Sequence, residues 1–158
     1  MSSFKDLMGN SWVLDLTFGT IERVKKDSDL DLLDSAQLNE TLTTLLANPR
    51  RLVEVVYTIL EPEIEKAGLS PEEFGSRIGG KQIGEISEAL VEAWVYFFLQ
   101  SGLAEQATAI QVTVENLKKM RTLMIQKAQE LDLSQEMEAG IDKEMLNIRK
   151  EFEKGFGS

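Results

Sequence analysis

The chain has 158 residues, a formal net charge of −10, and neither cysteine nor histidine. These two absences exclude disulfides, thiol nucleophiles, the usual zinc sites and histidine acid–base catalysis. The negative charge disfavours nucleic acid as a partner. No segment approaches the roughly 20 apolar residues of a membrane span, and the first residues lack the apolar run of a signal peptide. We therefore expect an acidic, helical, cytoplasmic protein without a membrane or nucleic-acid partner.

The first 18 residues predict a β-hairpin. Gly9 and Asn10 tolerate positive φ and so favour a turn between residues 4–7 and a second strand. Apolar residues alternate along that second strand on one face, namely Trp12, Leu14, Leu16 and Phe18. Because an isolated hairpin is marginally stable in water, we expect this face to pack on a helix or pair with another chain.

The chain after Gly19 has helical patterns. A short helix over residues 21–26 precedes an aspartate-rich turn over residues 27–34. Ser35 or Asn39 is predicted to cap a helix that ends near residue 47. Asn48-Pro49 starts the next helix, and Pro62 is expected to kink or end it.

A capping box predicts a further short helix, which begins at Ser70-Pro71-Glu72-Glu73 and ends before Gly79-Gly80. The following helix has apolar residues at spacings of three and four, which are typical of a helix at the centre of a core. These residues are Ile83, Ile86, Leu90, Trp94 and Phe97.

The C-terminal third has a heptad pattern. Apolar residues lie seven apart at Leu103, Ile110, Leu117, Met124 and Leu131, which is typical of a coiled-coil seam. The run 132–134 is predicted to interrupt it. The sequence therefore predicts a mainly α protein with a short N-terminal β-hairpin and a long C-terminal helix or helical hairpin. We divide it into a body, residues 1–101, and an arm, residues 102–158.

The heptad seam is the candidate partner-binding site, with Ile110, Leu117 and Met124 as the contact residues. Methionine adapts to partners of varied shape, and amphipathic helices commonly bind other helices. A second interpretation is that the same residues pack on the body or inside an antiparallel hairpin. A homo-oligomer is a further alternative.

Catalytic and metal sites have weak support in the sequence. Glu85, Glu88 and Glu92 share a helix face, where clustered carboxylates could hold Mg²⁺, but a solvated stripe explains them better. The aspartates at 27, 29 and 31 have the spacing of a calcium loop, yet Leu32 and Leu38 occupy the positions that need Gly and Glu. We expect no enzyme, no metal and no cofactor.

Residues 4 to about 99 resemble tail assembly chaperones of long-tailed, siphovirus-type bacteriophages and related gene transfer agents. Asp31-Leu32-Leu33 and Gly79-Gly80 fit the family pattern, and three longer segments carry the rest of the resemblance: the N-terminal motif, the short helix with the turn before it, and the end of the following helix. They read Phe4-x-Asp6-x-x-Gly9-x-x-Trp12-x-Leu14-x-Leu16-Thr17-x-Gly19-Thr20-Ile21-x-Arg23-Val24, Leu69-Ser70-Pro71-Glu72-Glu73-Phe74-Gly75, and Glu88-Ala89-Leu90-Val91-Glu92-Ala93 with Phe97-Phe98.

The resemblance implies a non-enzymatic role in the host cytoplasm. Proteins of this family bind the tape measure protein, keep it soluble and promote polymerisation of the tail tube protein around it, and they are usually absent from the finished virion. The alternative function is a helical adaptor or oligomerisation module of another phage or bacterial assembly. The arm after Gly102 lies outside the resemblance.

Overall fold

The computed structural model describes the backbone of residues 2–156 and the side chains of residues 2–151. Within these residues a two-stranded hairpin precedes six α-helices and one 3₁₀ turn, Ser35–Gln37. The predicted mainly α class with an N-terminal hairpin is confirmed. The elements are β1 (Ser3–Lys5), β2 (Ser11–Val13), α1 (Phe18–Ser28), α2 (Leu38–Ala47), α3 (Pro49–Lys66), α4 (Pro71–Ser76), α5 (Gly80–Gln100) and α6 (Ala104–Phe156).

The hairpin forms where the sequence predicts it. Its strands are antiparallel, with Phe4 opposite Trp12, and Gly9 has a φ of +81° in the turn. Trp12 is buried, as are Leu14 and Leu16, which confirms the predicted alternation. The prediction that Phe18 is the last buried residue of this alternation is wrong, because Phe18 is 65% exposed and begins α1. Thr17 caps this helix, so the extended backbone ends at Thr17 and not at Phe18.

Helix boundaries follow the prediction at α3 and depart from it at α2. Asn48 accepts a hydrogen bond from the Arg51 amide and Pro49 is the first helical residue, as predicted. At α2 neither predicted cap is used: Asp34 caps the 3₁₀ turn, which then leads directly into the helix.

Helix α3 does not end at Pro62. It continues to Lys66, so of the two predicted outcomes, a kink or an end, the end at this proline is not found. The apolar stripe explains the continuation, because Ile64 lies beyond the proline and is fully buried. Packing of that last turn offsets the hydrogen bond that a proline cannot donate.

The core lies between the hairpin and the helices. Helix α3 contacts α1, α2 and α5, and α5 also contacts β1. The indole of Trp94 on α5 is fully buried and donates to the Leu32 carbonyl at 2.9 Å. This bond fixes the aspartate-rich loop that follows α1 against the central helix.

Helix α6 is continuous through residues 132–134, so of the two predicted forms the single long helix is found. The chain divides into two compact units, 1–115 and 116–158. This boundary lies beyond the predicted division at residue 101, because the first turns of α6 belong to the body. Ala107 and Ile110 in these turns are buried in the core.

Candidate functional site

The three residues predicted to contact a partner lie in different environments. Ile110 is fully buried in the core of the body. Leu117 is half-buried, and Met124 is 66% exposed. Ile110 is therefore a packing residue of the body in this structure. Leu117 and Met124 belong to the second unit, and their role as partner contacts stays a prediction.

The second unit has an apolar stripe on α6, which we call the arm seam. It consists of every seventh residue from Leu117 and from Met120 as far as Ile148. Apolar members of the seam beyond Leu117 are more than half exposed, for example Met145 at 64% and Ile148 at 65%. Monomeric proteins rarely leave such a row of apolar side chains exposed, so the arm seam is a candidate protein-binding surface.

A second candidate surface lies on the body and is called here the β2–α5 groove. Its volume is about 470 Å³, and its walls come from the chain at and after β2 and from the C-terminal half of α5. Its apolar part includes Val13 and Tyr96, which are 45% and 61% exposed. Asp15 and Glu92 also line it and are exposed, so the groove is apolar with acidic edges.

The sequence patterns do not predict this groove. Periodicity along α5 identified the buried stripe through Ile86, Leu90 and Trp94 correctly. Tyr96 lies outside that stripe, on a face of α5 that the helical periodicity predicts to be exposed to solvent. A large aromatic residue on a solvent face is the signal that could have indicated a binding surface.

A shallower hollow of about 440 Å³ lies between α1, α3 and α4, with acidic residues beside an apolar lining. Tyr57 lines it together with Glu54 and Glu61. Burial raises the pKa of the Tyr57 hydroxyl, and the nearby charges of Glu61, Glu65 and Glu72 raise it further. The hydroxyl therefore stays protonated at neutral pH.

Residues of the N-terminal motif contact residues in and next to α4 in the body. The buried Asp6 carboxylate accepts hydrogen bonds from the Trp12 indole at 2.9 Å and from the Arg77 guanidinium at 3.4 Å. The Trp12 ring meets Phe74 edge-on, with ring centroids 5.5 Å apart. The Leu7 amide donates to the Arg77 carbonyl at 2.9 Å. The N-terminal motif and the motif of α4 thus form one junction between hairpin and helix.

Three residues of the predicted acidic clusters have structural partners. Glu85 lies 4.0 Å from Lys81, one turn earlier on α5. In the aspartate-rich loop, Asp31 accepts from the Leu33 amide and Asp34 accepts from the Ala36 amide, as expected for turn caps. Among the residues that the structure describes, no group of three or more acidic side chains is placed to hold a metal ion.

Across residues 2–156, none of the helices combines the length and apolar character needed to span a membrane. Comparison with known proteins adds no relative: no family model, no curated protein and no solved structure matches this chain.

Proposed function

We propose that this protein is a phage tail assembly chaperone, which binds the tape measure protein in the host cytoplasm, keeps it soluble and promotes polymerisation of the tail tube protein around it. The observation that carries the proposal is the junction of Asp6, Trp12, Phe74 and Arg77. These residues lie within or next to the family-like motifs, and their mutual contacts give the motifs a common structural purpose.

The β2–α5 groove is the surface that we assign to the client. An amphipathic helix binds in a groove by burying its apolar face, and Val13 and Tyr96 offer exposed apolar area for this. The acidic groups of Asp15 and Glu92 would face basic residues beside the apolar face of such a helix. Electrostatic complementarity of this kind increases association rate and specificity more than affinity.

The proposed role is not enzymatic. Holding a helical client requires exposed apolar surface and no reacting group. Within residues 2–151, the buried side-chain nitrogen and oxygen atoms all have hydrogen-bond partners. The family resemblance implies that this protein is absent from the mature virion.

Co-expression with the tape measure protein tests the proposal. We expect the wild-type chain to raise the soluble fraction of the client and to co-purify with it. The double variant Val13→Ser, Tyr96→Ser should lose most of this effect while keeping its helical circular dichroism. Val112→Ser is the matched control, because Val112 is 49% exposed but lies on α6 outside the groove. No complex and no gain in client solubility with the wild-type chain would refute the function.

A helical adaptor or oligomerisation module is the second candidate, and the exposed arm seam favours it. Removal of residues 116–158 separates the two functions, since the removed segment is the whole second unit. A chaperone that binds its client at the groove should retain client binding after this truncation. A pure oligomerisation module should lose both self-association and partner binding.

A further inference from the structure

The arm seam keeps one register along the second unit. Leu117, Met124, Leu131 and Met145 occupy the first position of the heptad, and Met120, Ile141 and Ile148 occupy the fourth. These are the a and d positions whose side chains interdigitate with a partner helix in a coiled coil. All of them except the half-buried Leu117 are exposed. The stripe therefore has the spacing of a helix-pairing surface.

Two charged residues interrupt the seam, Lys127 at a d position and Glu138 at an a position. A parallel partner in register would place Lys127 against the second Lys127 and Glu138 against the second Glu138. Like charges at such close range repel each other, and the interior of a seam screens them less than water does. The seam thus disfavours a parallel pair of identical helices.

The antiparallel arrangement reverses this relation, because a positions then face d positions. With the two-fold axis between Asp132 and Leu133, Lys127 faces Glu138 of the second copy. In the same register Leu117 faces Ile148, Met120 faces Met145, and Met124 faces Ile141. One register therefore pairs the two interrupting charges with each other and six of the seven apolar residues with apolar residues, while Leu131 faces Ser134 of the second copy.

Residues beside the seam add to this complementarity. Arg121 and Asp142 both occupy the e position, and e positions lie next to each other in an antiparallel pair. Both side chains are exposed in the structure. The same register brings Arg121 of one copy close to Asp142 of the other, and the two-fold symmetry repeats the pair.

We propose that the arm seam binds a second copy of this chain as an antiparallel two-helix coiled coil centred between Asp132 and Leu133. The same pairs could in principle form within one chain if the arm folded back at residues 132–134. Helix α6 is continuous there, so within one chain Lys127 and Glu138 are separated by three helical turns. A second copy supplies the facing residues instead.

Charge exchange tests the register. The dimer dissociation constant, measured by sedimentation equilibrium, should increase by about tenfold for K127E and for E138K, because each substitution places like charges face to face. The double variant K127E, E138K should return to within a few-fold of the wild type. Equal dissociation constants for all four proteins, or a monomeric wild type, would overturn the proposal.

A distance measurement tests the direction of the pair. The chain has no cysteine, so K119C accepts one spin label per copy on the face away from the seam. In the antiparallel dimer residue 119 lies beside residue 146 of the second copy, which separates the two labels by about 40 Å along the axis. A parallel dimer would place them within about 20 Å, which would contradict the proposed arrangement.

Discussion

The carboxylate of Asp6 connects three parts of the body. Its Oδ1 atom accepts from the amides of Met8 and Asn10, and its Oδ2 atom accepts from the Trp12 indole, all at 2.9 Å. Arg77 at the end of α4 lies 3.4 Å from Oδ2. The side chain of Asp6 is completely inaccessible to solvent. One residue thus fixes the turn, orients the tryptophan and joins the hairpin to the helices.

Asp6→Asn should lower the free energy of unfolding by about 1–3 kcal/mol, which is the cost of leaving a buried polar group without its partner. Asparagine has one acceptor oxygen and one NH2 donor group. Either the two turn amides or the Trp12 indole would therefore face the NH2 group and lose their acceptor. Chemical denaturation at neutral pH measures the change. Glu22→Gln is the matched control, because Glu22 is exposed on α1 and should leave stability unchanged. Equal stability of the two variants would refute the role of Asp6.

The same network makes part of the stability depend on pH. Burial raises the pKa of Asp6, but the hydrogen bonds from Trp12, Asn10, Met8 and Arg77 outweigh it, so the pKa lies below its ordinary value of 3.8. In the unfolded chain the carboxyl takes up its proton at a higher pH than in the folded chain. Its stabilising contribution is therefore full above pH 3.8 and is lost as pH falls through the folded-state pKa. We expect the stability difference between wild type and Asp6→Asn to narrow over that acidic range.

Helix α3 shows how packing overrides a local preference. Proline in a helix interior is about 3 kcal/mol less favourable than alanine, yet α3 passes through Pro62 and buries Ile64 in its next residues. Pro62 itself is exposed, so its ring adds little to the core.

Pro62→Ala should raise the free energy of unfolding by about 1–2 kcal/mol. The restored N–H stabilises the helix, while the greater freedom of alanine in the unfolded chain removes part of the gain. Pro71→Ala is the matched control, since Pro71 is the first residue of α4 and needs no helical N–H there. Thermal and denaturant unfolding measure both variants. An equal effect of the two substitutions would contradict this account of Pro62.

The elements that the sequence predicted well are those with strong local signals. Gly9 and the alternation through Trp12 set the hairpin, while Asn48-Pro49 set the start of α3. The failures arise where two signals compete for the same residue. Phe18 continues an alternating pattern, but the mutual hydrogen bonds of Thr17 and Thr20 start a helix there. Both signals are local, and the alternation of apolar residues does not show that the Thr17–Thr20 cap prevails over it.

At the scale of the whole chain, one heptad pattern serves two purposes. Ile110 and Met124 occupy the same heptad position two repeats apart, yet one is fully buried in the body and the other is 66% exposed in the second unit. A stripe of apolar residues has the same period whether it packs on its own body or on another helix. The sequence could therefore predict the seam but could not predict which of its turns the body covers, nor the β2–α5 groove, whose walls come from distant segments.

Paired substitutions on α6 separate these two purposes. Ile110→Ala should lower the free energy of unfolding of the body by about 2–5 kcal/mol, because it removes buried side-chain volume and leaves a cavity. Met124→Ala should leave that value unchanged and weaken self-association, because its side chain is exposed and belongs to the arm seam.

Unfolding is followed at protein concentrations low enough to keep both variants monomeric, since binding between copies would otherwise add to apparent stability. Sedimentation at higher concentrations then reports association. Loss of association in Ile110→Ala while its body remains folded would place Ile110 in the partner contact after all. Loss of body stability in Met124→Ala would show that the body extends beyond residue 115. Loss of body stability in Ile110→Ala together with weaker association in Met124→Ala would place the boundary of the body within α6 between these two residues.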